Sequence, residues 1–185
     1  VYIILNYKTH QDTIRVVNEL LTDNRNDYRI IVVDNASPNG SFDIISTAFN
    51  NNVKVDVLQS GENGGYAKGN NYGLRFAKKY HPEYAVILNN DVHFSWATID
   101  SLMEIYPKLD HPAVIAPVQM NPDGSQASLP ILQLPDMKYD LRSYSIFFKL
   151  PRHKFKSNTN FHNVQKVGII QGAFLFVNYS TFERM

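Results

Sequence analysis

Apolar positions along the chain follow two alternating rhythms. Val1 to Leu5 is a short continuous apolar run; after it Ile14, Val17 and Leu21 fall at i, i+3 and i+7, with Leu20 beside them and the polar Asn18 at i+4. The first pattern predicts a strand buried on both faces, the second an amphipathic helix. The alternation then repeats. Arg29 to Asp34 (RIIVVD) is a β-branched run, and Ser41 opens a helical stretch in which Ile45, Ala48 and Phe49 share a face. Val53 to Leu58 predicts a third strand, and Leu74, Ala77 and Tyr80 a third helix. Tyr84 to Leu88 predicts a fourth strand, and Ile99, Leu102, Met103 and Tyr106 a fourth helix. Strands alternating with helices imply an α/β fold: a doubly wound, mostly parallel sheet with helices on both faces. Beyond residue 110, Val114 to Pro117 reads as a strand, Asp123-Gly124 as a turn, and Pro130 and Pro135 as breaks. Val167 to Val177 reads as two short strands meeting at Gln171-Gly172.

Composition narrows the class. A length of 185 residues suits one domain, and 44% hydrophobic with 12% aromatic residues excludes a mainly disordered chain. No apolar stretch approaches the roughly 18 residues that a spanning helix needs. The absence of Cys excludes disulfides, thiolate metal sites and a cysteine nucleophile, and makes a reducing, cytoplasmic location the expectation. A formal net charge of +1 offers no global attraction to nucleic acid or anionic lipid, so charge matters only locally. Both ends read as cut, because Val1 already sits in an apolar run and the chain stops at Met185 without a terminating loop. A longer parent protein is therefore expected.

In an open parallel sheet, ligands bind beyond the carboxyl ends of the strands. Those ends run here into Asn6-Tyr7, Asp34-Asn35-Ala36-Ser37, the loop Gly61 to Asn71, and Asn89-Asn90-Asp91. A single Asp after a strand is as readily a turn former. Four polar endings together point to a crevice. Several known signatures fail. The turn Asn6 to Asp12 has no Gly, which excludes the dinucleotide fingerprint. Lys68 precedes Gly69 with no Ser or Thr after it, which excludes a Walker P-loop. Neither G-x-S-x-G nor H-E-x-x-H occurs. What remains is a glycine-rich loop leading into a helix, either a plain flexible loop or a place where the helix N-terminus and Lys68 meet a diphosphate.

The succession VYIILNYK, IIVVDNASPNG, NGGYAKGNNYG, VILNND and QGAFLFVN resembles glycosyltransferase family 2 on the GT-A fold. Within it, the chain is most similar to the rhamnosyltransferase-like branch that builds bacterial surface polysaccharides. The resemblance implies one domain over residues 1–185, with a nucleotide-sugar half (1–93) and an acceptor-side half (94–185) that is incomplete at its C-terminus. It also implies inverting transfer of a sugar, rhamnose among the options, from a UDP- or dTDP-type donor to a glycan or lipid-linked acceptor. By the same resemblance Asn6 and Tyr7 flank the nucleobase, and Asp34, with Asn35 beside it, accepts the imide N–H of uracil or thymine. A carboxylate suits that role because it is acceptor-only. Asn63, Gly65 and Asn70 would line the ribose and diphosphate, with Lys68 a phosphate contact. Asn89-Asn90-Asp91 stands where the family has D-x-D, so Asn90 lies beside the donor and Asp91 ligates Mg²⁺ or Mn²⁺. His93 is either a further ligand or an exposed loop residue. Gly172 is either the small residue beside the acceptor or a tight strand bend. The family's Glu-Asp pair has no counterpart here, which places the general base beyond Met185 and leaves this stretch inactive alone.

The segment Lys138 to Lys156 carries six basic residues and one acid, Asp140, interleaved with Tyr139, Tyr144, Phe147, Phe148 and Phe155. Three readings stay open: peripheral docking on a membrane, single-stranded nucleic-acid binding, and a solvated helix with its aromatics turned inward. Nucleic acid is not the expected partner. The N-x-[ST] sites at Asn35, Asn39 and Asn178 read as accidental, since a glycan on Asn35 would block the crevice. A donor-binding module without transfer activity is the alternative to an enzyme.

Overall fold

The computed structural model describes residues 1–125, 127 and 164–184. Pro130, Pro135, the basic aromatic segment 138–156 and Met185 lie outside the described residues. The elements are β1 (Tyr2–Asn6), α1 (His10–Leu21), β2 (Ile30–Asp34), α2 (Ser41–Phe49), β3 (Val55–Gln59), α3 (Gly65–Ala77), β4 (Tyr84–Asn89), α4 (Trp96–Ile105), β5 (Val114–Ile115), β6 (Phe174–Asn178) and α5 (Tyr179–Glu183). Short 3₁₀ turns, Lys78–Tyr80 and Tyr106–Lys108, extend α3 and α4.

The sheet runs β3-β2-β1-β4-β6-β5. The first four strands in that order are parallel, while β6 is antiparallel to both β4 and β5. This is the expected mostly parallel, doubly wound α/β sheet. The chain winds outward from β1 to β3, then crosses back to β4 on the other side of β1. The strand order therefore reverses between β1 and β4, the kind of switch point where such sheets open a crevice.

Alternate side chains of each strand serve opposite faces. Tyr2, Ile4, Ile30, Val32, Val86 and Leu88 pack with α1, α2 and α4; Ile3, Ile31, Val33, Ala85 and Ile87 pack with α3 and α5. Several faces differ in detail from the apolar pattern. Helix α1 buries Thr13, Val16, Val17 and Leu20, one position off the expected Ile14 and Leu21 stripe, because Thr13 is buried to make hydrogen bonds rather than to exclude water. Ala48 and Met103 face outward, and Val53 precedes β3 at 84% exposure. In place of two strands over Val167 to Val177 there is one, β6, with Ile169 making only an isolated bridge; Gly168 and Gly172 offer no side chain for strand packing there.

The glycine-rich stretch also differs. Only its first part is a loop, and from Gly65 onward it is α3. A Cβ on Gly73 would meet Ile3 Cγ2 at 2.8 Å and Val33 Cγ2 at 2.9 Å, and one on Gly69 would meet Leu5 Cδ1 at 2.4 Å. The two glycines, four apart on one helix face, let α3 lie directly on β1 and β2. The chain divides into two compact units, Val1–Pro117 together with the chain from Gly172 onward, and Val118–Gln171. Within the first unit, β6 joins β4. In the second unit, the turn expected at Asp123-Gly124 forms, with Gly124 at φ +80° and the Asp123 carboxylate accepting from the Ser125 N–H at 2.8 Å.

Candidate functional site

Register brings the polar strand endings together: Asn6 lies beside Asp34 across β1 and β2, and Leu5 beside Asn89 across β1 and β4. From there a chain of hydrogen bonds crosses the carboxyl ends of three strands. Asn90 Nδ2 donates to Thr13 Oγ1 at 2.9 Å and Thr9 Oγ1 at 2.6 Å. Thr13 Oγ1 donates to Asn6 Oδ1 at 2.8 Å, and Asn6 Nδ2 donates to Asp34 Oδ2 at 2.6 Å. Asp34 Oδ1 accepts from the Ser37 N–H at 2.8 Å, and Ser37 Oγ accepts from the Lys8 N–H at 2.8 Å. Lys8 and Ala36 both take left-handed backbone conformations, φ +68° and +56°. These strained positions are held by the Ser37 bonds and by Asn39 Nδ2 on the Lys8 carbonyl at 2.9 Å.

Asn6, Thr13 and Asp34 have 0% exposure. The structure thus brings Asn6 and Asp34 together but beneath the surface, with each carboxylate oxygen already accepting one internal bond. The exposed group at this edge is Tyr7. Hydrogen bonding with Asn63, and then with Lys8, holds its phenol below the ordinary value.

A second cluster sets the entry to α3. Asn35, also buried, donates from Nδ2 to Asn63 Oδ1 at 2.8 Å and to the Gly65 carbonyl at 3.3 Å, while its Oδ1 accepts from Ser60 Oγ at 3.1 Å. Asn63 Oδ1 also accepts from the Gly65 N–H at 3.0 Å, where Gly65 turns at φ +77°. The helix N-terminus has no side-chain cap and no acid in its first turn. Asn35, Asn63 and Gly65 are therefore joined in one hydrogen-bonded cluster. Asn70 lies one turn further into α3, 3% exposed; its Nδ2 donates to the Tyr66 carbonyl at 3.0 Å and its Oδ1 has no partner. Lys68 is exposed and paired with Glu62.

Asp91 stands at the rim of the β4 ending, exposed, with no hydrogen bond or ion pair to another side chain or backbone group among the described residues. Among the described residues no three His, Cys, Asp or Glu side chains gather into a metal cage. His93 is exposed and its Nδ1 accepts from Arg15 Nη1 at 3.3 Å. A guanidinium in that position opposes a cation on the same nitrogen, so the structure favours the loop reading of His93. Gly172 sits just before β6, where Tyr66 donates its hydroxyl to the Gly172 carbonyl. Burial raises the Tyr66 phenol above its ordinary value. Thr13 and Arg15 carry no motif, and Tyr66, though it lies within NGGYAKGNNYG, has no role assigned from the sequence. Only Thr13 left a trace, since the set Thr13, Val16, Val17 and Leu20 fits helical spacing better than the purely apolar one.

The family model described as glycosyl transferase family 2 matches residues 2–175. The chain is 26% identical to the low-salt glycan biosynthesis hexosyltransferase Agl10 of Haloferax volcanii, over 99% of this chain and 53% of that protein. It thus spans about half the length of the curated relative it matches. Among solved structures it is similar to the mannosyltransferase PcManGT from Pyrobaculum calidifontis in complex with GDP-Man and Mn²⁺, with a TM-score of 0.62 and 15% identity over 99% of this chain and 45% of that one. It is also similar to S. aureus TarS 1-349, with a TM-score of 0.54 and 20% identity over 71% of this chain and 39% of that one. The same TarS chain is known in complex with UDP-GlcNAc. At these identities the likeness is one of fold. No helix among the described residues is long and apolar enough to cross a membrane.

Proposed function

The chain belongs to glycosyl transferase family 2, and from that premise we propose that it is the donor-binding part of a cation-dependent, inverting hexosyltransferase acting in glycan synthesis. The observation that carries this reading is the free carboxylate of Asp91 at the edge of an otherwise fully bonded polar network across the ends of β1, β2 and β4. The chemistry of the site fits a cation held through one carboxylate, with donor phosphates and water completing the shell, as Mg²⁺ and Mn²⁺ commonly bind. When bound, that cation offsets the charge that develops on the departing diphosphate.

The chain's own residues have distinct tasks. In the first turn of α3 the N–H of Gly65 is taken by Asn63 Oδ1, and those that follow it are the donors for diphosphate oxygens. Asn35, through Asn63 and Gly65, fixes where that helix begins, and Asn90 ties the Asp91 segment to α1. Asp34 acts on base choice through the groups it holds, Asn6 and the Ser37 turn, beneath Tyr7. Gly172 leaves the acceptor side open next to Tyr66. The donor we favour is of UDP or dTDP type, with rhamnose among the sugars, and the acceptor a glycan or lipid-linked glycan at the inner membrane face. The relative's description as a glycan-biosynthesis hexosyltransferase supports the sugar class. The base that removes the acceptor proton is assigned to a carboxylate beyond Met185, so this stretch binds donor without transferring it.

Titration calorimetry with UDP-, dTDP- and GDP-sugars, with and without Mn²⁺, tests the reading. Binding should depend on Mn²⁺, and Asp91→Ala should weaken it about tenfold or more, about 1.4 kcal/mol per decade. Equal affinity with and without metal, in both proteins, overturns the cation assignment.

A further inference from the structure

The segment that carries Asp91 has no regular structure between the end of β4 and the start of α4, yet a carboxylate that shares a cation with a diphosphate must be held to within about half an ångström. What holds it is α1. Arg15 Nη2 donates to the carbonyl of Asn90 at 3.2 Å and to that of Val92 at 3.2 Å, so one guanidinium nitrogen grips the backbone on both sides of Asp91. Arg15 Nη1 donates to His93 Nδ1 at 3.3 Å and pairs with Glu19 at 3.4 Å. The Asn90 side chain is drawn to the same helix through Thr9 and Thr13.

We propose that Arg15 is a positioning residue for the cation site: it shapes residues 90–93 so that the Asp91 carboxylate projects free of internal partners. The proposal rests on the reading of Asp91 given above. Arg15 is suited to the task because its planar fork presents several donors at fixed angles, which a lysine ammonium on a flexible stem cannot reproduce. Groups that orient a metal ligand without touching the metal are commonly worth about 10- to 100-fold in affinity. The guanidinium also spends its donors on backbone carbonyls, His93 and Glu19, and makes no bond to Asp91, so the acid stays available.

The test uses the whole chain in four forms: the natural sequence, Arg15→Ala, Arg15→Lys and, as a control that touches Arg15 but not the segment, Glu19→Ala. Two quantities are read: ¹⁵N relaxation of residues 91–93 without metal or nucleotide, and affinity for UDP and GDP at fixed Mn²⁺ and without it. In Arg15→Ala the order parameters of residues 91–93 should fall from rigid values near about 0.85 towards about 0.6, while those of β1 and β4 stay unchanged. The gain in nucleotide affinity from Mn²⁺ should drop about tenfold, with metal-free affinity unchanged. Arg15→Lys should fall between, and Glu19→Ala should match the natural chain. A merely structural role would lower affinity with and without metal alike, and that result overturns the proposal. So does an unchanged segment in Arg15→Ala, or a loosened one with an intact Mn²⁺ gain. If Arg15→Ala does not fold, Arg15→Lys decides by the same criteria. No Mn²⁺ gain in the natural chain overturns the reading of Asp91 and the cation role given to Arg15, and the relaxation data then report separately whether Arg15 holds the segment.

Discussion

The two ends of the same parallel strands are built from opposite materials. At the carboxyl ends, Asn6, Thr13, Asp34, Asn35 and Ser37 are buried polar groups joined by hydrogen bonds. At the amino ends, aromatic rings meet: Tyr2, Tyr28 and Trp96 have centroids 5.7 to 6.1 Å apart, and Tyr84, Tyr106 and Phe176 have centroids 4.9 to 5.8 Å apart. Tyr2, Tyr28, Tyr80, Tyr84 and Phe176 also line a cavity of about 310 Å³ there. Aromatic burial contributes stability with little regard to exact position, each ring pair adding about 0.5–1.5 kcal/mol beyond area. A buried polar network contributes little net stability, because its bonds replace bonds to water, but each missing partner costs dearly. One end holds the sheet together and the other holds side chains in fixed places.

That division can be broken experimentally. Phe176→Ala, at 1% exposure, should cost about 3–5 kcal/mol in denaturant unfolding and leave nucleotide affinity of the folded protein unchanged. If affinity falls in step, the two ends are not separable. Asp34→Ala strands the Ser37 N–H and leaves Asn6 Nδ2 only its 3.4 Å bond to Ser37 Oγ, and a hydrogen bond to a charged group is worth about 1.5–3 kcal/mol. Stability should fall by about that much, and preference for uracil or thymine over cytosine nucleotides should weaken with it. A stability loss with preference intact would reduce Asp34 to a tie between turns. Gly73→Ala sharpens the comparison at the middle of α3. Overpacking against Ile3 and Val33 costs about 1–3 kcal/mol, while the gain in helix propensity returns about 1. A net loss of up to about 2 kcal/mol is expected in thermal unfolding; a gain would mean that α3 can lift from the sheet freely. The smallest effect belongs to Lys68→Ala. Its ion pair with Glu62 lies in solvent, so the melting temperature should not move measurably and nucleotide affinity should change by less than about twofold. A larger affinity loss would make Lys68 a phosphate contact.

The parallel strands were legible because a sheet buried on both faces demands short unbroken apolar runs such as RIIVVD and YAVILN, each bounded by polar residues. The polar residues that end them were legible for the same reason, by contrast with what precedes them. The second half of helix α3 was legible from Leu74 and Ala77, but its start at Gly65 was not, because Gly65, Gly69 and Gly73 lower helix propensity locally, and only the packing of Gly69 and Gly73 against Leu5, Ile3 and Val33 shows why no larger residue stands there. Arg15 looked like any charge on a solvated helix face. Its partners are backbone carbonyls 75 and 77 residues away, and a carbonyl has no sequence signature.

The bond from Asn35 to Asn63 and Gly65 has a consequence for how such proteins can be recombined. The loop that opens α3 takes its shape from a residue at the exit of β2, the strand beside β3, 28 positions earlier. Transplanting the glycine-rich stretch alone into a homologue would move the sequence without the clasp that shapes it. The exchangeable part is the pair of segments, Asp34 to Ser37 with Ser60 to Gly73, and a chimaera that keeps them together inherits the geometry as well as the residues.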